Sequence, residues 1–221
     1  MKTVVFDLDG TLADTSADLI AAANACFLEL GHGRLLDPEA DKLTAFHGGR
    51  AMLQLGFSRL DGAWGDSDAD AEYPNFLDSY GENIDRETRL YPGAREAVER
   101  LLGDGYACSV CTNKPEGFAR ELLKRLGVNE MFGALIGADT LPVRKPDPLP
   151  YRTAVEAAGG SVAASCLIGD TETDVKTARA AGVPVVLVRF GPEGEAIARL
   201  KPDAMLDHYD DLATIVTDLI G

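Results

Sequence analysis

The feature that most constrains this chain is an alternation that runs from residue 106 to its end. Short apolar runs at 106–111, 134–137, 166–168 and 183–188 read as strands, and 204–206 as a further short one. Between and after them, 115–126, 148–158, 173–181 and 209–220 carry helical patterns with Pro at several starts and Gly after several ends. Residues 2–6 add a strand, followed by a helix over 14–30 with Leu19, Ile20, Ala23, Phe27 and Leu30 on one stripe. Ser16 is its expected N-cap and Gly31 its stop. A further helix is predicted from Pro92 through residue 102. Apolar strands separated by helices predict an α/β fold with a parallel sheet covered on both faces.

Residues 15–85 interrupt this pattern. They read as helical with polar breaks, and they hold 13 acidic against 4 basic residues, −9 of the chain's net −15. The expected organisation is a core from 1–14 and 86–221, with a small helical domain, 15–85, inserted after the first strand. At 221 residues the chain spans one or two domains of about 150 residues. A charge of −15 without a basic block excludes nucleic acid and anionic membrane surfaces as partners. No apolar run reaches the roughly 18 residues of a membrane span. The N-terminal residues carry no leader pattern, so a cytoplasmic protein is expected. Cys108 and Cys111 have a C-x-x-C spacing, but they fall within one predicted strand and no second ligand pair is near. Buried structural thiols are expected there.

Four polar motifs follow strands or precede helices. Asp7 and Asp9, in Asp7-Leu8-Asp9-Gly10-Thr11, end the first strand, where open parallel sheets place ligands. Two carboxylates beside apolar Val4-Val5-Phe6 repel one another and call for a cation or a shared proton. Thr112-Asn113 precedes a helix start, where side-chain donors and backbone N–H groups suit phosphate oxygens. Lys145 lies in a stretch stiffened by Pro146 and Pro148. Asp170 and Asp174, in Gly169-Asp170-Thr171-Glu172-Thr173-Asp174, open another helix. That cluster reads either as an N-cap built on Thr171 or Thr173, or as a magnesium site, since Mg2+ takes hard oxygen ligands and keeps several waters.

Taken in order, these motifs resemble those of the haloacid dehalogenase superfamily of hydrolases, and the resemblance spans essentially the whole chain. It implies a Rossmann-like parallel core with an inserted helical cap. His47-Gly48-Gly49-Arg50-Ala51, Tyr91-Pro92-Gly93, 137–142 and Phe190-Gly191 resemble the phosphoglycolate phosphatases within it, His47 being a departure from their usual pattern. The roles so implied are Asp7 as nucleophile and Asp9 as acid and base, with Thr112 and Lys145 holding the phosphoryl oxygens. Mg2+ would be bound by Asp7, the Asp9 carbonyl and Asp170, with Asp174 behind them. Asn113, Gly49 and Arg50 are the expected substrate contacts. Arg50 reads equally as a cation that reaches a substrate carboxylate on cap closure and as a surface residue paired with a cap acid.

The expected activity is Mg2+-dependent hydrolysis of a small phosphorylated metabolite, 2-phosphoglycolate foremost, by a monomer or homodimer. A sugar-phosphate mutase shares both aspartates and is the alternative. A dehalogenase would lack the second aspartate. A phosphonatase would need a cap lysine for a Schiff base, and Lys42 alone is available. A non-catalytic phosphate sensor is disfavoured by the intact set of Asp7, Asp9, Lys145 and Asp170. Among weaker positions, His47 is expected to be structural and His32 and His208 to lie at the surface. Trp64 either packs under the cap or covers the cleft.

Overall fold

In the computed structural model, which describes residues 1–62 and 64–221, the chain forms two compact units. One is Met1–Ala13 with Leu90–Gly221; the other is Asp14–Arg89. The strands are β1 (Thr3–Phe6), β2 (Ala13–Asp14), β3 (Arg89–Leu90), β4 (Ala107–Cys111), β5 (Ala134–Ile136), β6 (Ser165–Gly169), β7 (Val185–Val188) and β8 (Ala204–Leu206). The helices are α1 (Ser16–Glu29), α2 (Lys42–Ala45), α3 (Gly49–Phe57), α4 (Asp66–Glu82), α5 (Ala94–Gly103), α6 (Glu116–Arg125), α7 (Pro148–Ala157), α8 (Glu172–Ala181) and α9 (Leu212–Ile220).

The first unit is built on a parallel sheet in the order β5-β4-β1-β6-β7-β8. Its central strands are mostly apolar and buried along their whole length, as strands covered on both faces must be. Val5, Leu167, Val185 and Leu187 pack with Tyr151 and Val155 of α7 and Ala178 of α8 in one core. β1 lies between β4 and β6, and Phe6 is in register with Val110 on one side and Ile168 on the other. The residues that follow these three strands, Asp7, Thr112 and Asp170, therefore leave the same edge of the sheet. The strand order reverses at β1, which is where such sheets open a crevice. Cys108 and Cys111 lie buried in β4, and all four cysteines are free thiols. Burial pushes these thiols up to about 12.

The second unit is helical. α1 packs on α3 and α4, with Phe27 edge-on to Phe57 at 5.3 Å. Gly56 lets α3 approach so closely that a Cβ there would run into the Phe27 ring. Trp64 packs within this unit, stacked on Phe57 at 5.1 Å. His32, expected at the surface, is half-buried because its ring meets Trp64 edge-on at 5.1 Å. His208 is exposed, beside Asp210. Helix α1 starts later than periodicity suggests. Ser16 is its first residue rather than its cap, because the Asp14 carboxylate accepts from both the Ser16 N–H and hydroxyl. Buried Asp18 accepts from the N–H groups of Glu87 and Thr88 and from the Thr88 hydroxyl, tying the end of this unit to its first helix. Helix α5 likewise starts at Ala94, not Pro92, after Gly93 in a left-handed turn. Among the described residues no helix is long and apolar enough to cross a membrane.

Candidate active site

The chain turns sharply after β1. Gly10 has φ +82°, a conformation that favours glycine, and its N–H donates to Ala13 O. The N–H groups of Leu12 and Ala13 donate to Leu8 O, so the turn closes on itself. Asp7 is held at its start: its own N–H donates to Ile168 O at 2.9 Å, and its Oδ1 accepts from the Leu8 N–H at 2.7 Å. Thr11 then points its hydroxyl at Asp170 Oδ1, 2.8 Å away. Behind the turn, Tyr209 donates to Thr11 O at 2.8 Å, and Phe190 packs between Tyr209 and Tyr91. Tyr91 and Phe190 thus stack on the tyrosine that holds the turn.

The segment after β6 is organised by Asp174. Its carboxylate fills the space a Cβ of residue 169 would need, which explains Gly169. Asp174 Oδ2 accepts from the N–H groups of Asp170 and Thr171 and from the Thr171 hydroxyl, a capping box at the start of α8. Asp174 Oδ1 accepts from Lys145 at 2.7 Å. The same Lys145 Nζ lies 3.1 Å from Asp7 Oδ2, and its side chain is 2% exposed. A cis Lys145–Pro146 peptide precedes α7, and the Lys145 carbonyl accepts from Asn113 Nδ2 at 3.0 Å. Asn113 therefore directs its amide at the lysine's backbone.

Burial dominates the electrostatics. It pushes Asp7 up from 3.8 to about 6, with Lys145 opposing and Asp174 and Asp9 reinforcing the rise. Burial likewise holds Asp170 well above the usual carboxylate range, helped by Asp174 and Asp7. Burial disfavours the Lys145 ammonium, but Asp174 and Asp7 outweigh it and raise its basicity. Asp7, Asp170 and Asp174 offer carboxylate oxygens all within 4.8 Å of one another. Asp170 Oδ2 is buried without a hydrogen-bond partner among the described residues. Crowded acids with an orphaned hard oxygen fit a divalent cation of the magnesium type. Asp174 has both oxygens engaged by protein donors, so its fit is behind the ion rather than on it.

Two supporting side chains are not evident from the sequence. Lys114 is buried, with a side chain 4% exposed, and its Nζ donates to Asp9 Oδ1 at 2.8 Å. Its N–H donates to Thr112 Oγ1 and its carbonyl accepts from the Ala138 N–H. The available signal was its position, directly after Thr112-Asn113 at a strand end. Thr11 is the other, as the support of Asp170.

Two expected substrate contacts belong to the helical unit. Arg50 Nε lies 2.5 Å from Asp70 Oδ1, and its guanidinium sits over the Tyr73 ring at 4.1 Å. Gly49 is buried in the first turn of α3, where a Cβ would run into the Phe76 ring. His47 is exposed.

A family model of haloacid dehalogenase-like hydrolases matches residues 4–188, which include Asp7, Asp9, Thr112, Lys145, Asp170 and Asp174. The chain belongs to the haloacid dehalogenase-like hydrolases. This hydrolase is 37% identical over 209 residues to a phosphoglycolate phosphatase of Mesorhizobium japonicum, covering 95% of this chain and 92% of that one. It is 35% identical to one of Cereibacter sphaeroides over the full length of both. A crystal structure from Haemophilus somnus, described as a predicted phosphoglycolate phosphatase, superposes with a TM-score of 0.85 at 27% identity, covering 97% of each chain. The hydrolase's kinship is thus with enzymes that cleave phosphoric monoesters.

Proposed function

We propose that this hydrolase dephosphorylates small phosphomonoesters through a phosphoaspartyl intermediate on Asp7, with 2-phosphoglycolate as its substrate. The observation that carries this reading is Lys145 Nζ on Asp7 Oδ2, beside the orphaned oxygen of Asp170. Asp7 is the nucleophile: its carboxylate oxygen forms a bond to phosphorus as the ester oxygen leaves. Asp9 donates a proton to that leaving alkoxide, then takes one from the water that splits the acyl phosphate. Lys145 and Thr112 hold the phosphoryl oxygens while charge shifts among them. Asp7, the Asp9 carbonyl and Asp170 would hold Mg2+, with Asp174 fixing their loop and orienting Lys145. The bound ion would supply the positive charge that keeps Asp7 ionised and offsets the incoming phosphate. Gly49 and Arg50 are further substrate contacts, with Arg50 exchanging Asp70 for a substrate anion. The reading includes a cytoplasmic enzyme working as a monomer or homodimer.

The test is phosphate release from 2-phosphoglycolate, an aryl phosphate, pyrophosphate and β-glucose 1-phosphate, with Mg2+ and with chelator. Mg2+-dependent preference for 2-phosphoglycolate, abolished in Asp7→Asn, is the expected result. Equal slow release from all four would refute the substrate. Isomerised glucose phosphate with little free phosphate would make the protein a mutase.

A further inference from the structure

Lys114 is a buried cation that the mechanism above does not use. Its backbone is pinned on both sides, by Thr112 Oγ1 at 3.2 Å and by the Ala138 N–H at 2.9 Å. From there the ammonium donates to Asp9 Oδ1. A buried ion pair is a weak source of stability, since desolvating both charges offsets their attraction. Placing one on the acid–base carboxylate has a chemical use instead. Lys145 serves the phosphoryl side of the site, between Asp7 and Asp174. Lys114 lies against the carboxylate that must meet the leaving oxygen.

We infer that Lys114 is a specificity-determining residue, whose ammonium exchanges Asp9 for a carboxylate carried by the leaving group. The inference deepens the phosphoglycolate reading and rests on it. In such a substrate, only the methylene and carboxyl carbons separate the ester oxygen from the carboxylate oxygens. The protein groups that meet these two atoms must therefore be neighbours, and Asp9 Oδ1 and Lys114 Nζ are 2.8 Å apart. The exchange conserves charge around the lysine, because one carboxylate replaces another. It also frees Asp9 Oδ1 to turn toward the leaving oxygen. A phosphate ester without a second anion leaves Lys114 on Asp9.

The experiment is a cycle between enzyme and substrate. Values of kcat/KM are measured for 2-phosphoglycolate and for its neutral amide, with the wild-type enzyme, Lys114→Met and Lys114→Arg, each checked for folding by circular dichroism. The wild-type enzyme is expected to prefer the carboxylate by about tenfold to a hundredfold, the range of a hydrogen bond between charged groups. Lys114→Met should shrink that preference to within about threefold, and Lys114→Arg should keep most of it. If Lys114→Met loses activity equally on both substrates and keeps the preference, the lysine merely positions Asp9 and the inference fails. Should Lys114→Met not fold, Lys114→Gln takes its place in the cycle with the same criteria. A wild-type enzyme that cleaves both compounds equally overturns the inference while leaving a phosphatase. One that releases phosphate from neither overturns the phosphoglycolate reading with it.

Discussion

The Thr11 hydroxyl donates to Asp170 Oδ1 at 2.8 Å, linking segments 159 residues apart. This bond satisfies one oxygen of a carboxylate whose other oxygen has no partner. Thr11→Val keeps the shape of the side chain and leaves Asp170 buried with neither oxygen satisfied. The expected cost is about 1–3 kcal/mol in metal-free protein, read from urea unfolding. Mg2+ affinity should fall as well, because Asp170 loses its orientation.

Lys145→Met removes the cation shared by Asp7 and Asp174. Leaving buried carboxylates without it should cost about 3–5 kcal/mol of stability. On phosphate esters kcat should fall by about a hundredfold or more, since the lost contact strengthens in the transition state. Steady-state kinetics beside thermal unfolding separates the two effects.

Asp7 binds its proton more tightly in the folded chain than in the unfolded one, with a pKa of about 6 against 3.8. Its contribution to stability is therefore complete below 3.8 and is lost as pH rises through about 6. Mg2+ prefers the ionised carboxylate, so its stabilising effect should grow over the same window. At neutral pH, Mg2+ at a hundredfold excess over Kd should raise Tm by about 5–10 °C. At pH 4 the shift should nearly vanish, as differential scanning calorimetry with and without chelator will record.

Arg50 and Asp70 form an exposed pair, so Arg50→Ala should change unfolding free energy by no more than about 0.5 kcal/mol. If the arginine takes up a substrate anion, kcat/KM for 2-phosphoglycolate should nonetheless drop by about tenfold or more. Unchanged kinetics would make it a surface pair only.

Much of this arrangement was legible beforehand because it is local. Apolar runs ending in Asp7, Thr112 and Asp170 mark strand ends, and a parallel sheet brings strand ends together. Two readings of Asp174, cap or metal site, looked like alternatives. In the folded chain its capping box orients the loop whose Asp170 points an unsatisfied oxygen into the carboxylate cluster. What stayed illegible depends on register between distant segments. Lys114 reads as an ordinary charged residue before a proline until β4 is laid beside β1. Thr11 looks like part of a turn until β6 arrives on the other side. The start of α1 departs from its periodicity for a smaller reason: Asp14, two residues ahead, takes the donors of Ser16.

The four native thiols are buried, and their pKa values of about 12 leave almost no thiolate at neutral pH. A maleimide dye should therefore ignore the unaltered folded protein. One cysteine introduced on the surface of each unit would give a fluorophore pair against a silent background. The spacing between catalytic and helical units could then be followed in solution, molecule by molecule, during turnover.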